Sequence, residues 1–192
     1  MRKIILASAS PRRKEILATT GLGFTVCKSR YEEDLTISKE PRALARFLSG
    51  KKAEDVAQKY SDAVIIAADT FIVYKNKLLG KPASPDDARR MLKTLSGKAH
   101  SVITGFTIID NKNNKRISRS IETTVYFKKL TKDEINTYVR SGEPLDKAGA
   151  YAIQGRGAVF IEKIEGDFFN VVGLPVCALA ESLKKFGIQI LT

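Results

Sequence analysis

The sequence predicts an α/β fold in a single domain, and three observations predict it. Apolar, β-branched runs of strand length recur at residues 3–7 and 64–68, and alternating runs follow at 101–109 and 118–127. Between them stand helix-start signals, Ser10-Pro11, Ser84-Pro85 with Asp86 and Asp87 behind it, and Thr131. The 192 residues, 43% hydrophobic and 28% charged, can fill one core or two lobes sharing a cleft, and are too few for two ordinary domains.

In chain order, residues 3–7 form a short strand that leads into SASPRRKEIL, where Ser10 caps a helix that Gly21 ends. A strand, a small-residue turn and a helix start make an arrangement suited to phosphate, because unpaired N–H groups and the positive helix end converge there. Arg12 and Arg13 add forked donors, although the GxxxxGK[ST] pattern of a standard nucleotide loop is missing and a plain capped helix accounts for the same residues. Residues 24–27 are a second strand, followed by the acidic group Glu32, Glu33 and Asp34, which suits either a solvated turn or a source of metal-binding carboxylate. A helix covers 41–60 with Leu44, Ala45, Leu48, Val56 and Ala57 on one face; Lys51 and Lys52 lie within it, by default on its solvated side.

The run VIIAADTFIVYKNKLLGKP at 64–82 organises the rest. Its strand delivers Asp69 where the backbone is expected to surface, and a carboxylate there either caps a turn or answers to a metal, a cation or a bound substrate. A hairpin over 70–79 would bring Lys81, bracketed by Gly80 and Pro82, back toward that acid. One carboxylate and one ammonium are the minimal equipment for holding a metal and an anionic substrate together. Beyond it come a helix ending at Gly97, the strand pair 101–109 and 118–127, a helix over 130–141, and a loop, SGEPLDKAGAYAIQG, in which Asp146, Lys147 and Gln154 look placed. A strand at 159–164, a turn at EGDFFN, an apolar turn at VVGLP and a closing helix over 176–186 complete the chain.

Composition narrows the function classes. The net charge of +12, from 33 Lys and Arg against 21 Asp and Glu, favours an anionic partner, yet the lysines are scattered with no dense block and no interleaved aromatics, which argues against nucleic acid. No apolar run approaches the ~18 residues that span a bilayer. At the N-terminus IILA is shorter than the ~7 residues of an export-signal core, so a cytoplasmic location is expected. Cys27 and Cys177 are far apart in apolar surroundings and are expected to be buried free thiols, and His100 is the only histidine. A divalent ion would therefore be held by carboxylate oxygens and water, favouring Mg²⁺ or Mn²⁺.

Several separated stretches taken together resemble the Maf nucleoside triphosphate pyrophosphatases: SASPRR, the acidic pair at 32 and 33, AADT, LGKP, the ML..LSG..H.V.TG run, SGEP.DKAGAYAIQG and VVGLP. The correspondence spans nearly the whole chain in the right order and implies a single domain over residues 1–192. It implies a long mixed sheet flanked by helices, of the Maf and inosine triphosphatase type, with two lobes around a nucleotide cleft. The implied reaction is attack of water at the α-phosphorus of a nucleoside triphosphate, giving monophosphate and pyrophosphate. Carried over by motif, Asp69 is the proton acceptor and with Glu33 holds the divalent cation, while Ser8, Arg12, Arg13, Lys52 and Lys81 position and neutralise the triphosphate.

The chain resembles the dTTP and UTP branch of the family in having Arg12, Thr70 and Gln154 at the positions that distinguish substrates. An amide at 154 suits a pyrimidine imide edge, since it offers both a donor and an acceptor. The resemblance also implies a homodimer. Tyr31, before the acidic pair, is a departure to which no function attaches. A competing class is a nucleotide- or nucleic-acid-binding regulator of cell division in which the pocket is a sensor. Asp69 and Glu33 discriminate, because a pure polyanion binder gains nothing from acids in its anion pocket.

Overall fold

A computed structural model describes residues 2–32 and 39–191. Its strands and helices follow in the order β1 (Lys3–Leu6), α1 (Pro11–Ala18), β2 (Thr25–Val26), α2 (Pro41–Ala57), β3 (Ala63–Tyr74), β4 (Lys77–Leu79), α3 (Pro85–Leu95), β5 (Ala99–Asp110), β6 (Lys115–Phe127), α4 (Lys132–Arg140), β7 (Ile161–Glu165), α5 (Phe168–Val172) and α6 (Val176–Lys184). The strands make one mixed sheet in the order β2-β1-β3-β5-β6-β7, with β4 paired to β3. The chain divides into two compact units, one of residues 1–70, 104–121 and 173–192 and the other of 71–103 and 122–172.

In the first unit β1 pairs in parallel with β2 on one side and with β3 on the other. The chain thus leaves β1 in one direction through α1 and returns to its opposite side through α2. With right-handed crossovers, that reversal puts α1 and α2 on opposite faces of the sheet. The α2 face is filled by Ile5, Ala7, Ala63, Ile65 and Ala67 from the strands against Ala53, Val56 and Ala57 from the helix. Small residues set how close the helix comes. Gly105 on β5 is required here, since a Cβ at that position would lie 2.2 Å from the carbonyl carbon of Ala45 on α2.

The second unit packs α3 and α4 on Ile72, Val102, Val125 and Phe127, together with Tyr138, Tyr151 and Phe160. The β3–β4 hairpin is present, with Ile72 opposite Leu79, and Lys75 and Asn76 adopt positive φ in its two-residue turn. The helix caps are those the sequence predicts: Ser10, Ser84 and Thr131 each accept from the backbone N–H three residues on, and Thr131 with Glu134 completes a capping box.

Four expectations are corrected. Residues 168–172, expected within a turn and the start of an apolar loop, form the short helix α5, with Asp167 accepting from the N–H groups of Phe169 and Asn170. Residues 159 and 160 close a 3₁₀ turn, and β7 begins only at Ile161. Cys177 is exposed and Cys27 half-buried, so neither is a buried thiol. Finally, the strand at 64–68 does not surface at Asp69: β3 runs on to Tyr74 and Asp69 lies within it, 5% exposed.

Candidate active site

The site begins where β1 stops. Leu6 is the last residue of β1, paired with Ile66, and the Ala7 N–H still reaches the Ile66 carbonyl at 2.7 Å. Beyond that point β1 no longer accompanies β3, and β4 joins β3 only from Ile72, so Asp69 and Thr70 lie past the carboxyl end of β1, at the point where strand order reverses. Such switch points are where open parallel sheets place ligands.

Alternation along β3 sends the two residues to opposite faces. Asp69 shares the α2 face with Ala63, Ile65 and Ala67, and α2 supplies Lys52, one residue before the buried Ala53. Lys52 Nζ donates to Asp69 Oδ1 at 2.5 Å, with the side chains 13% and 8% exposed. This corrects the solvated placement expected for Lys52 from its helix alone. Desolvating two charges is costly, and the pairing offsets that cost for both.

Thr70 faces the other side and joins a cluster built on Arg13. That guanidinium donates through Nη2 to Thr70 Oγ1 at 3.0 Å, through Nη1 to Ser8 Oγ at 3.4 Å and through Nε to the Gly173 carbonyl at 2.9 Å. Ser8, 8% exposed, also accepts from the Ser10 N–H at 3.2 Å, which shapes the turn before α1. Thr70 Oγ1 is 3.0 Å from Thr104 Oγ1 on β5. Arg12 is half-buried at the second position of α1. The structure therefore joins Ser8, Arg13 and Thr70 in one cluster and Lys52 and Asp69 in another, in the same unit. Thr104 and the Gly173 carbonyl belong to the first cluster and were given no role from sequence, although both fall inside the TG and VVGLP stretches that carry the resemblance.

The remaining expected residues lie elsewhere. Lys81 and Gln154 belong to the second unit; Lys81 is exposed just after β4, and Gln154 is exposed in extended backbone, φ −95° and ψ 157°, at the start of a 3₁₀ turn. Glu33 lies outside the described residues. Among the described residues no group of three or more His, Cys, Asp or Glu side chains gathers as a metal cluster. The chemistry of the described residues fits a hard cation held by one or two carboxylates, with phosphate oxygens and water filling the other positions, the usual habit of Mg²⁺. Asp69 has the carboxylate that such binding needs.

A family model described as Maf-like protein matches residues 3–186. The chain belongs to the Maf family. Among its relatives, the dTTP/UTP pyrophosphatase of Methanosarcina barkeri is 51% identical over 191 residues, covering 99% of this chain and 97% of that one. The dTTP/UTP pyrophosphatase of Alkaliphilus metalliredigens is 49% identical over 193 residues and the whole of both chains, and that of Bacillus cereus strain B4264 is 46% identical over 190 residues, 99% of this chain and 98% of the other. Among solved structures, the Staphylococcus aureus Ham1 protein gives a TM-score of 0.46 at 12% identity, over 66% of this Maf chain and 72% of that protein. No helix of the described residues is long and apolar enough to cross a membrane.

Proposed function

We propose that this Maf chain is a nucleoside triphosphate pyrophosphatase that hydrolyses dTTP and UTP to the monophosphate and pyrophosphate, the 192 residues working as one catalytic domain. The observation that carries the reading is the end-to-end match, 51% identity over 99% of the chain, to a relative named for that activity. The geometry agrees with it. A buried acid held by a lysine stands at the sheet's switch point, and an arginine–hydroxyl cluster stands on the next residue of the same strand.

In this reading Asp69 accepts the proton of the attacking water, its orientation fixed by burial and by Lys52. Arg13, Ser8 and Arg12 draw the triphosphate to the turn before α1, where backbone N–H groups and guanidinium donors face phosphate oxygens. Lys52 and Lys81 add positive charge for the developing pyrophosphate. Asp69 and Glu33 would hold a Mg²⁺ or Mn²⁺ ion, which supplies charge neutralisation of the phosphates when bound. Thr70, Arg12 and Gln154 set which base is accepted, Gln154 through its paired donor and acceptor.

The test is kcat/KM for pyrophosphate release from dTTP, UTP, CTP and GTP, with and without added Mg²⁺ or Mn²⁺. The reading expects dTTP and UTP to rank first; a chain that binds these nucleotides without releasing pyrophosphate would instead be the sensor of the competing class.

A further inference from the structure

The loop that carries Gln154 is tied down on its two sides by a carboxylate and the phenol bonded to it, neither of which was given a role from sequence. Glu143, in the 3₁₀ turn after α4, accepts from the backbone N–H of Arg156 at 3.1 Å through Oε2 and of Gly157 at 3.2 Å through Oε1. The Tyr138 hydroxyl donates to the same Oε1 at 3.0 Å and accepts from the Ala152 N–H at 3.3 Å. Anchors on residues 152, 156 and 157 thus bracket Gln154, and all of them converge on a single phenol–carboxylate pair.

The loop is shaped around that pair. Gly155 has φ +75°, and a Cβ there would lie 3.0 Å from Oε1 and 3.1 Å from Oε2 of Glu143, so the carboxylate occupies the space a side chain would need. Gly157 is as tight, with a Cβ position 2.5 Å from the Ala152 carbonyl oxygen and 2.7 Å from the Tyr138 hydroxyl. Tyr138 itself is buried, its ring packed edge-on against Phe160 at 4.9 Å, so the pair is mounted on the core of its unit. Burial pushes the Glu143 carboxyl up, but the two backbone N–H groups and the Tyr138 hydroxyl outweigh it and hold the group below the usual glutamate range. Charged hydrogen bonds to backbone N–H groups are the strong kind, and here they restrain a loop whose residues 154–156 stand in solvent.

We propose that Glu143, seconded by Tyr138, is a positioning residue for base selection: without touching the nucleotide, it fixes the Ala152–Gly157 loop so that the Gln154 amide meets the pyrimidine imide edge in one orientation. The inference rests on the reading of Gln154 as a base-contacting residue and adds what makes an exposed amide selective. A glutamine free to rotate on a loose loop would offer its donor and acceptor in any order to any base, and the ordering would be lost again on each encounter.

The experiment uses the full chain and the variants Glu143→Ala, Glu143→Gln and Tyr138→Phe. Wild type and variants are compared in KM and kcat for dTTP, UTP and GTP, and in amide hydrogen exchange across residues 152–157. Glu143→Ala is expected to speed exchange in that segment and to raise KM for dTTP and UTP roughly ten- to a hundredfold, with kcat and the poor use of GTP little changed. Glu143→Gln, which keeps one accepting oxygen, recovers part of the loss. If Glu143→Ala does not fold, Tyr138→Phe keeps the ring on Phe160 and is expected to shift the same ratio in the same direction by less. A variant whose exchange rises while its dTTP-to-GTP ratio stays at the wild-type value overturns the positioning role, as does an equal fall for all three nucleotides. Wild type showing no preference for dTTP and UTP overturns instead the reading of Gln154 on which the inference stands.

Discussion

The Lys52 ammonium lies 2.5 Å from Oδ1 of Asp69, and both side chains are largely withdrawn from water. The contact joins α2 to the one stretch of β3 that has outrun β1, so the same ion pair that stabilises a helix on its sheet also orients the acid at the switch point. Under the proposed function, packing and chemistry meet at these two residues, and each can be tested separately.

On the stability side, Lys52→Met leaves a buried carboxylate without its ammonium and is expected to cost about 3 kcal/mol. Asp69→Asn should cost less, since an amide oxygen still accepts from the lysine. The double variant is then expected to be more stable than the sum of the two losses predicts, with a coupling of about 1 kcal/mol or more. Urea unfolding of the four proteins near neutral pH measures it, and strict additivity would mean the pair contributes nothing in solution.

On the catalytic side, Asp69→Asn keeps the size and hydrogen-bonding reach of the side chain and removes its basicity. Pyrophosphate release from dTTP is expected to fall by about a hundredfold to ten-thousandfold in kcat, while dTTP binding measured by calorimetry is largely kept. Turnover equal to wild type would remove Asp69 from the role of proton acceptor.

Gln154→Glu replaces a donor-and-acceptor pair by acceptors alone. The imide edge of thymine or uracil presents N–H between two carbonyls, so it loses its donor partner and meets a negative charge instead. The kcat/KM for dTTP and UTP is expected to drop roughly ten- to a hundredfold relative to GTP. A nucleotide panel with an unchanged ranking would count against the amide.

What was legible in the sequence was local. The caps Ser10, Ser84 and Thr131 act through bonds to residues three positions on, and VIIAA declares itself a buried strand by composition, so both are fixed within a few residues of chain. The placement of Asp69 was not local. Whether a strand surfaces after Ala68 depends on where its neighbours end, and it is β1 stopping at Leu6, 63 residues earlier in the chain, that leaves the acid buried yet beyond its partner. The inward placement of Lys52 is not local either: on a helix wheel it borders the solvated face, and only the register of α2 against β3 turns it inward. The helix at 168–172 was hidden because FFNVV is apolar and β-prone, and the cap from Asp167 that starts it is too short a signal to outweigh that. Glu143 lies inside the SGEP stretch, but its role was not legible there, because two of its partners are backbone N–H groups that carry no residue identity and the third, Tyr138, lies outside that stretch.

The buried His100 gives a prediction about pH whose sign follows from its surroundings. Its Nε2 is 2.7 Å from the Tyr151 hydroxyl, its ring packs edge-on to Phe127, and its Nδ1 has no hydrogen-bond partner among the described residues. Burial pushes the imidazole down from 6.5 to about 4, since a second N–H would have to be ionised inside an apolar cluster. Between those values the unfolded chain binds a proton that the folded chain refuses. Stability from this group is therefore complete above pH 6.5 and declines as pH falls toward about 4, a loss of about 3 kcal/mol when integrated. His100→Gln keeps a partner for Tyr151 and does not titrate, so its loss of stability on acidification should be smaller than that of wild type by about that amount. Urea midpoints for the two proteins across the acid range decide the matter, and parallel curves would show that the folded protein takes up the proton as readily as the unfolded chain does.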